Sequence, residues 1–414
     1  MSYSDWSRRV AATLTGKGPG RPGARKSVMV TAISAALVVV AGVAILVVGP
    51  GKTTLRTASV AHSSGTGKTS TAPKVHPAPA LQVVSTTPAA GAHGVDGTSP
   101  IQVVFSAPLA AGSPMPKLSP SLPGTWKTEG STAVFTPTSG FGADTPVTVS
   151  VPGGSSGLQS AAGAHAGAGG VLASSVTRSF TTGSFSTLRL QQLLAQLGYL
   201  PLTWTPSGTA TQPGDSAAQL AAAYSPPAGS FSWQGGYPSM LHSFWQEGAA
   251  NLITSGAIRA FQSQNNLTMD GTAGPQVWSY LLKAATAGQK NANGYTYALA
   301  SKASPETLTI WHNGREVFSN AANTGIPVAP TADGTFPVYE RLRNQIMQGT
   351  NPDGSKYADP VQFVAYFNGG DAVHYFPRGS YGWPQSLGCV ELPLGPAAAA
   401  WPYLTYGSLV TVAG

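Results

Sequence analysis

Hydrophobic positions along this chain follow four successive patterns. Val28–Val48 reads VMVTAISAALVVVAGVAILVV, 21 residues without a charge. At about 1.5 Å per residue that is enough to cross a bilayer core of about 30 Å. Residues 81–185 then alternate short β-prone runs (Ile101–Phe105, Ala133–Thr136, Pro146–Val151, Thr177–Thr181) with turn clusters, a spacing that predicts a β-sandwich. From residue 186 the period changes. Leu190, Leu193, Leu194 and Leu197 share one helical face, which predicts a helix over Thr187–Leu197 ended by Gly198. Gly256–Asn265, with Ile258 and Phe261, and Pro275–Ala285, with Val277, Trp278, Leu281 and Leu282, predict two more helices. Residues 292–414 return to β character. Thr307–Trp311 and Arg315–Phe318 flank His312-Asn313-Gly314, and Asn-Gly supplies the positive φ angles of a tight hairpin. Phe336–Tyr339, Val361–Phe367 and Ser408–Val412 predict further strands. The expected fold class is multidomain and mainly β, with a transmembrane helix, a sandwich, a small helical bundle and a β-rich C-terminal domain.

Charge sharpens the topology. The 414 residues carry a formal charge of +8, but residues 1–80 hold ten basic side chains and one acidic one, and the remainder is close to neutral. A folded body without a clustered positive face argues against nucleic acid as a partner. Six of the basic residues precede Val28, so the positive-inside rule predicts a cytoplasmic tail over 1–27, a span over 28–48, and everything beyond outside the cell. A signal anchor is favoured over a cleaved signal. The apolar run exceeds a usual signal core, and the nearest small-x-small site, Ser59-Val60-Ala61, lies well beyond it. Residues 49–80, rich in Gly, Ser, Thr, Pro and Lys, read as a flexible linker. Gly65-Thr66-Gly67-Lys68-Thr69 imitates part of a phosphate loop, but His62 stands where the first glycine belongs and no strand or helix flanks it. Gly and Pro together supply 84 residues, which suits loops and strands better than long helices.

The chain has one cysteine, Cys389. This excludes internal disulfides and multi-thiolate metal sites, and no cofactor is expected. An unpaired thiol outside the cell is a liability unless it is used. It sits in Ser386-Leu387-Gly388-Cys389-Val390-Glu391, where glycine permits close backbone approach and neighbouring amides are available to an oxyanion. A nucleophilic thiol needs a base or a cation. Of seven histidines, His62 and His76 fall in the linker, His93 and His165 in the sandwich region and His242 in the helical region; His312 falls at a hairpin turn where exposure is expected. His374 remains, fifteen residues before Cys389 and in the same domain. A Cys–His dyad is the chemistry this inventory supports, against a buried, inert cysteine.

Three resemblances follow from motifs. Thr87-Pro88-Ala89-Ala90-Gly91-Ala92, Val103-Val104-Phe105-Ser106, Gly124-Thr125-Trp126, Phe135-Thr136-Pro137 and Arg178-Ser179-Phe180 resemble bacterial Ig-like domains, with Trp126 expected to pack. Leu190-Gln191, Leu197-Gly198-Tyr199, Ala257-Ile258-Arg259-Ala260-Phe261-Gln262 and Leu267-Thr268-Met269-Asp270-Gly271 resemble the three-helix peptidoglycan-binding domain over 186–286. An insertion over 201–253 interrupts that pattern, and its Trp204, Trp233 and Trp245 are expected to pack within it rather than face glycan. Finally, His374, Ser386-Leu387-Gly388-Cys389-Val390-Glu391, the upstream Thr324-Gly325 and Thr331-Ala332-Asp333-Gly334-Thr335-Phe336, and the closing Gly407-Ser408-Leu409-Val410-Thr411-Val412 resemble the L,D-transpeptidase catalytic domain, the YkuD-type fold, over 292–414.

That last resemblance implies a concrete reaction on peptidoglycan stem peptides. Cys389 attacks the carbonyl of the third stem residue, expels the terminal D-Ala and forms a thioester, with His374 as base. An amine of a neighbouring stem then takes the acyl group to give a 3→3 cross-link; water in its place makes a carboxypeptidase. The resemblance also implies that the Tyr375 carbonyl orients His374 and that the Gly388 and Cys389 amides hold the oxyanion. Ser386, Arg378, Tyr381 and Trp383 are candidate substrate contacts, with packing favoured for Tyr381 and Trp383 and a pairing with Glu391 open for Arg378. Leu387 replaces the motif's histidine and Glu391 its Asn or Arg. Those departures keep a weakly active or inactive wall-binding scaffold as the alternative. The expected partners are stem peptides, glycan and one lipid bilayer, and the oligomeric state stays open.

Overall fold

The computed structural model describes residues 79–161, 170–208 and 214–414. The apolar run Val28–Val48, nearly all of the 49–80 linker and most of the Gly/Ala run 161–170 lie outside the described residues. Among the described residues no helix is long and apolar enough to cross a membrane. All of them belong to one compact unit, His76–Gly414.

The first module is a sandwich of two antiparallel sheets. One has the order β1 (Val83–Thr87), β2 (Ile101–Phe105), β5 (Thr132–Pro137), β4 (Gly124–Glu129); the other is β3 (Lys117–Ser119), β6 (Pro146–Val151), β7 (Val176–Thr181). Alternation along β2 and β6 turns Ile101, Val103, Phe105, Val147, Val149 and Val151 into a shared core. Trp126 packs on Phe135 with ring centroids 5.3 Å apart.

The helical module holds the three expected helices, at Thr187–Gln196, Leu252–Gln264 and Pro275–Ala287. The second starts four residues earlier than its apolar pattern suggests, because the Asn251 side chain caps it by accepting the Thr254 N–H at 2.9 Å. The Phe-Gln and Asp-Gly signature is a structural clamp. Gln262 donates to the Asp270 carboxylate at 2.6 Å and accepts the Gly271 N–H at 2.9 Å. The insertion folds as a hairpin, β8 (Leu202–Pro206) with β9 (Gly229–Trp233), and two helices, Ser216–Tyr224 and Ser239–His242. Its tryptophans pack as expected: Trp204 joins the helical core, Trp245 meets Phe231, and Trp233 stacks on His242.

The C-terminal module stacks two sheets. The first is β12 (Arg315–Ala321), β11 (Thr307–His312), β10 (Thr296–Ser301), β18 (Leu409–Ala413), β13 (Gly334–Pro337), antiparallel except for the β10–β18 pair. The second is β14 (Glu340–Thr350), β15 (Lys356–Asn368), β16 (Asp371–Tyr375), β17 (Val390–Leu392), in which β16 and β17 run parallel. Ala298, Leu308, Ile310 and Val410 from the first sheet meet Phe363, Ala365, Val373 and Leu392 from the second, closed by the helix Leu394–Ala400. His312, expected to be exposed at its turn, is instead half-buried. Its Nδ1 lies 3.0 Å from the Thr296 hydroxyl, its ring packs near Tyr403, and burial lowers its pKa.

Candidate active site

Strand register brings Cys389 and His374 to the same face. β16 and β17 pair as Val373 with Val390 and His374 with Glu391. Side chains alternate along a strand, so Val373, Val390 and Leu392 point into the core between the sheets. The intervening positions, Ala372 and His374 on β16 with Cys389 and Glu391 on the other segment, point the opposite way. They open onto a cleft of about 440 Å³ whose lining includes His374, Cys389, Glu391 and Arg378.

The other wall of this cleft is the long β14–β15 hairpin, and a bulge sets which of its residues face in. Phe363 has φ +57°, and the β15–β16 register slips between Gln362 and Ala365. An extra residue in one strand reverses the parity of inward positions. Tyr357, Asp359 and Val361 face the cleft before the bulge, whereas Tyr366 faces it after.

His374 is 3% exposed. Its Nδ1 lies 2.9 Å from the Tyr375 carbonyl oxygen. A carbonyl only accepts, so Nδ1 carries the proton and Nε2 presents a lone pair. Burial holds the imidazole below its ordinary pKa, which keeps it neutral and basic at neutral pH.

Among the described residues no cation acts to stabilise the thiol's anion. Burial pushes the Cys389 pKa up to about 12, and the nearby carboxylates of Asp371 and Glu391 add to the rise. Sγ sits 3.7 Å from the Gly370 carbonyl oxygen. The resting pair is a neutral thiol beside a neutral imidazole, so the thiol proton has to leave as sulfur attacks.

The loop carrying Cys389 is clamped from within. The Ser386 hydroxyl donates to the Cys389 carbonyl at 2.6 Å and accepts the Gly388 N–H at 3.2 Å. Two expectations change as a result. Ser386, 1% exposed at the cleft lining, spends its hydroxyl on shaping the loop. The Gly388 N–H is already engaged and is not free for an oxyanion; the Cys389 N–H has no hydrogen-bond partner among the described residues. Gly388 is needed for another reason. Its φ is +119°, and a Cβ there would sit 2.6 Å from a carboxylate oxygen of Asp371.

Arg378 is committed to Glu391. Its Nε and Nη2 each reach a carboxylate oxygen at 2.8 Å, and Nη2 also donates to the Gln385 carbonyl at 3.0 Å. The guanidinium lies over the Phe376 ring, 4.6 Å from its centroid. The pair answers the charge that Glu391 brings near the thiol, and of the two roles open to Arg378 the pairing with Glu391 is the one observed. Buried Asn323 completes the support by exchanging backbone hydrogen bonds with Glu391. Tyr381 braces the same turn, its hydroxyl donating to the Phe376 carbonyl at 2.6 Å and accepting the Arg378 N–H at 3.2 Å. Trp383, expected to pack, is 48% exposed.

Sequence reading missed the hairpin residues Gln345, Tyr357, Asp359 and Tyr366, and the support Asn323. β14 is polar along most of its length, and nothing local signals that it covers a cleft.

Residues 295–412 match the family described as the L,D-transpeptidase catalytic domain, and residues 78–182 match the bacterial Ig-like domain. None of the curated proteins compared matches the chain. Among solved structures the chain is similar to an L,D-transpeptidase from Mycobacterium smegmatis, at 16% identity over 80% of this chain and 98% of that one with a TM-score of 0.27. It is similar to L,D-transpeptidase 3 from Mycobacterium tuberculosis, at 15% identity over 80% and 98% with a TM-score of 0.27. The catalytic domain of the E. faecium L,D-transpeptidase is 23% identical over 28% of this chain and 95% of that one, with a TM-score of 0.26. With a cysteine and a histidine at the join of two parallel strands and these two family matches, the chain carries an L,D-transpeptidase catalytic domain downstream of a bacterial Ig-like domain.

Proposed function

We propose that this protein is an exported, membrane-anchored cysteine L,D-transpeptidase that joins peptidoglycan stem peptides through 3→3 cross-links. The observation that carries the reading is the shared cleft of Cys389 and His374, with the Tyr375 carbonyl fixing the tautomer that leaves Nε2 free. As Sγ attacks the carbonyl of the third stem residue, its proton passes to Nε2. The Cys389 N–H is placed to receive the developing oxyanion. Collapse of the tetrahedral intermediate returns that proton to the departing D-Ala nitrogen and leaves a thioester. The amine of a second stem then attacks, Nε2 takes its proton, and the thiol is regenerated.

Around this chemistry, Val28–Val48 is the anchor and residues 49–80 the tether. The helical module is the wall-binding element, and the Ig-like sandwich holds the catalytic cleft away from the membrane.

Intact-protein mass after exposure to a carbapenem tests the nucleophile. One covalent adduct that disappears in Cys389→Ser is expected. Absence of any adduct would leave the wall-binding scaffold as the better reading. With purified disaccharide-tetrapeptide, dimer formation means transfer to an amine, and tripeptide alone means a carboxypeptidase.

A further inference from the structure

The charges lining the cleft do not balance. Arg378 is matched by Glu391 through its two short bonds. Asp371 has weak partners behind the cysteine loop, the Ala332 N–H at 3.3 Å and the Asn368 side chain at 3.5 Å. Asp359 has none. It lines the cleft from the β15 wall, half-buried, and its carboxylate makes no hydrogen bond or ion pair among the described residues; its charge is felt by Arg378 and Tyr357. It shares its face with Tyr357 and Val361 and pairs across the hairpin with Met347, all of which line the same cleft. With His374 neutral, the cleft that holds the thiol is lined by three carboxylates, Asp359, Asp371 and Glu391, against the single guanidinium of Arg378.

Resting on the transpeptidase reading, we propose that Asp359 is the acceptor-recognition residue, holding the ammonium of the incoming stem against the Cys389 thioester. The two fragments that pass through the cleft differ in sign at their reacting ends. The departing D-Ala carries a carboxylate, which an acidic wall repels. The incoming diamino side chain carries an ammonium, which the wall attracts. Cleft charge in this way favours transfer onward over reversal, and amine over water. Asp359 accepts hydrogen bonds from the ammonium while one proton departs to solvent. The neutral amine then attacks the thioester carbon, forming the C–N bond. His374 Nε2 takes a second proton from nitrogen and delivers it to sulfur as the C–S bond breaks, leaving an amide and a thiol.

The test separates donor from acceptor with two probes on the full chain. A disaccharide-tetrapeptide acetylated on its side-chain amine serves only as donor. A disaccharide-tripeptide with a free amine serves only as acceptor. The readout is the ratio of cross-linked dimer to hydrolysed donor, normalised to acyl-enzyme formed on Cys389, which a misfolded variant does not accumulate. D359N is expected to lower this ratio about tenfold, the scale of one lost hydrogen bond to a charged group, with D359E retaining most of it. An unchanged ratio in D359N would overturn the proposal. So would a loss confined to acylation by unacetylated donor, which would place Asp359 on the donor side. If the unsubstituted protein forms no acyl-enzyme with any donor, the transpeptidase reading itself fails and this proposal falls with it.

Discussion

At the scale of single residues, the thiol and the imidazole divide the work unevenly. Cysteine nucleophiles are commonly activated by a depressed pKa, but here the pKa is pushed up to about 12, and among the described residues the one cleft cation, Arg378, is paired with Glu391. Activation falls to His374, whose buried ring is held below its ordinary 6.5. The acylation rate therefore rises as pH climbs through the imidazole's pKa, because below it the base is protonated, and is flat from there through neutral pH. The carbapenem acylation rate measured from pH 4 to 9 is expected to show a single midpoint below 6.5. A rate still climbing at pH 9, toward the raised pKa of the thiol, would mean that free thiolate formation limits the reaction. The pairing of Cys389 with His374 was proposed from chemistry alone, since a lone thiol and two same-domain histidines, one of them at a hairpin turn, leave few choices. The duties of Ser386, Arg378 and Tyr381 were not. Each side chain finds partners in a loop folded back on itself, and a sequence does not state which of several neighbours a hydroxyl or guanidinium will meet.

At the scale of elements, the site rests on one short parallel pair, β16 with β17, and on the loop that returns between them. Glu391 is the stress point of that pair. It is 4% exposed and sits directly opposite His374. A buried carboxylate that loses its partner retains the cost of desolvation without the compensating attraction. Arg378→Met is therefore expected to destabilise the protein by about 3 kcal/mol, with much of that recovered in the Arg378→Met, Glu391→Gln double variant. Urea unfolding of the three proteins measures it. A single variant as stable as the parent would show that Glu391 is compensated elsewhere. The hairpin opposite shows why pattern reading stops short. Val361–Phe367 was legible as a strand from its apolar run, yet the bulge at Phe363 reverses parity within it, so Val361 and Tyr366 share the cleft face while Phe363 and Ala365 enter the core. Alternation predicts faces only while the ladder is unbroken.

At the scale of the whole molecule, the helical and catalytic modules share a core. Tyr297 and Leu409, in the first sheet of the C-terminal module, and Tyr295, just before β10, are buried in the same apolar cluster as Leu193, Ile253 and Phe261. Backbone meets backbone where the helix Leu252–Gln264 crosses the start of β18: a Cβ on Gly256 would lie 2.6 Å from the Gly407 carbonyl oxygen. The insertion adds a second tie, with the Gly236 N–H donating to the Gly314 carbonyl at 2.8 Å and the Tyr237 hydroxyl to the Tyr295 carbonyl at 3.1 Å. On the other side, the Tyr224 hydroxyl donates to the Gly142 carbonyl of the sandwich at 2.8 Å. An interruption in a repeat-like helical pattern thus works as a bracket between modules, which local periodicity had no means to convey. Because the first sheet of the C-terminal module completes its packing with residues from the helical module, residues 292–414 expressed alone would expose three large side chains to water. That fragment is expected to melt about 10 °C or more below the chain that retains residues 79–414, or to aggregate. Scanning calorimetry of the two decides it. Equal melting temperatures would mean that the shared cluster adds nothing to the C-terminal module and that the modules only lie side by side.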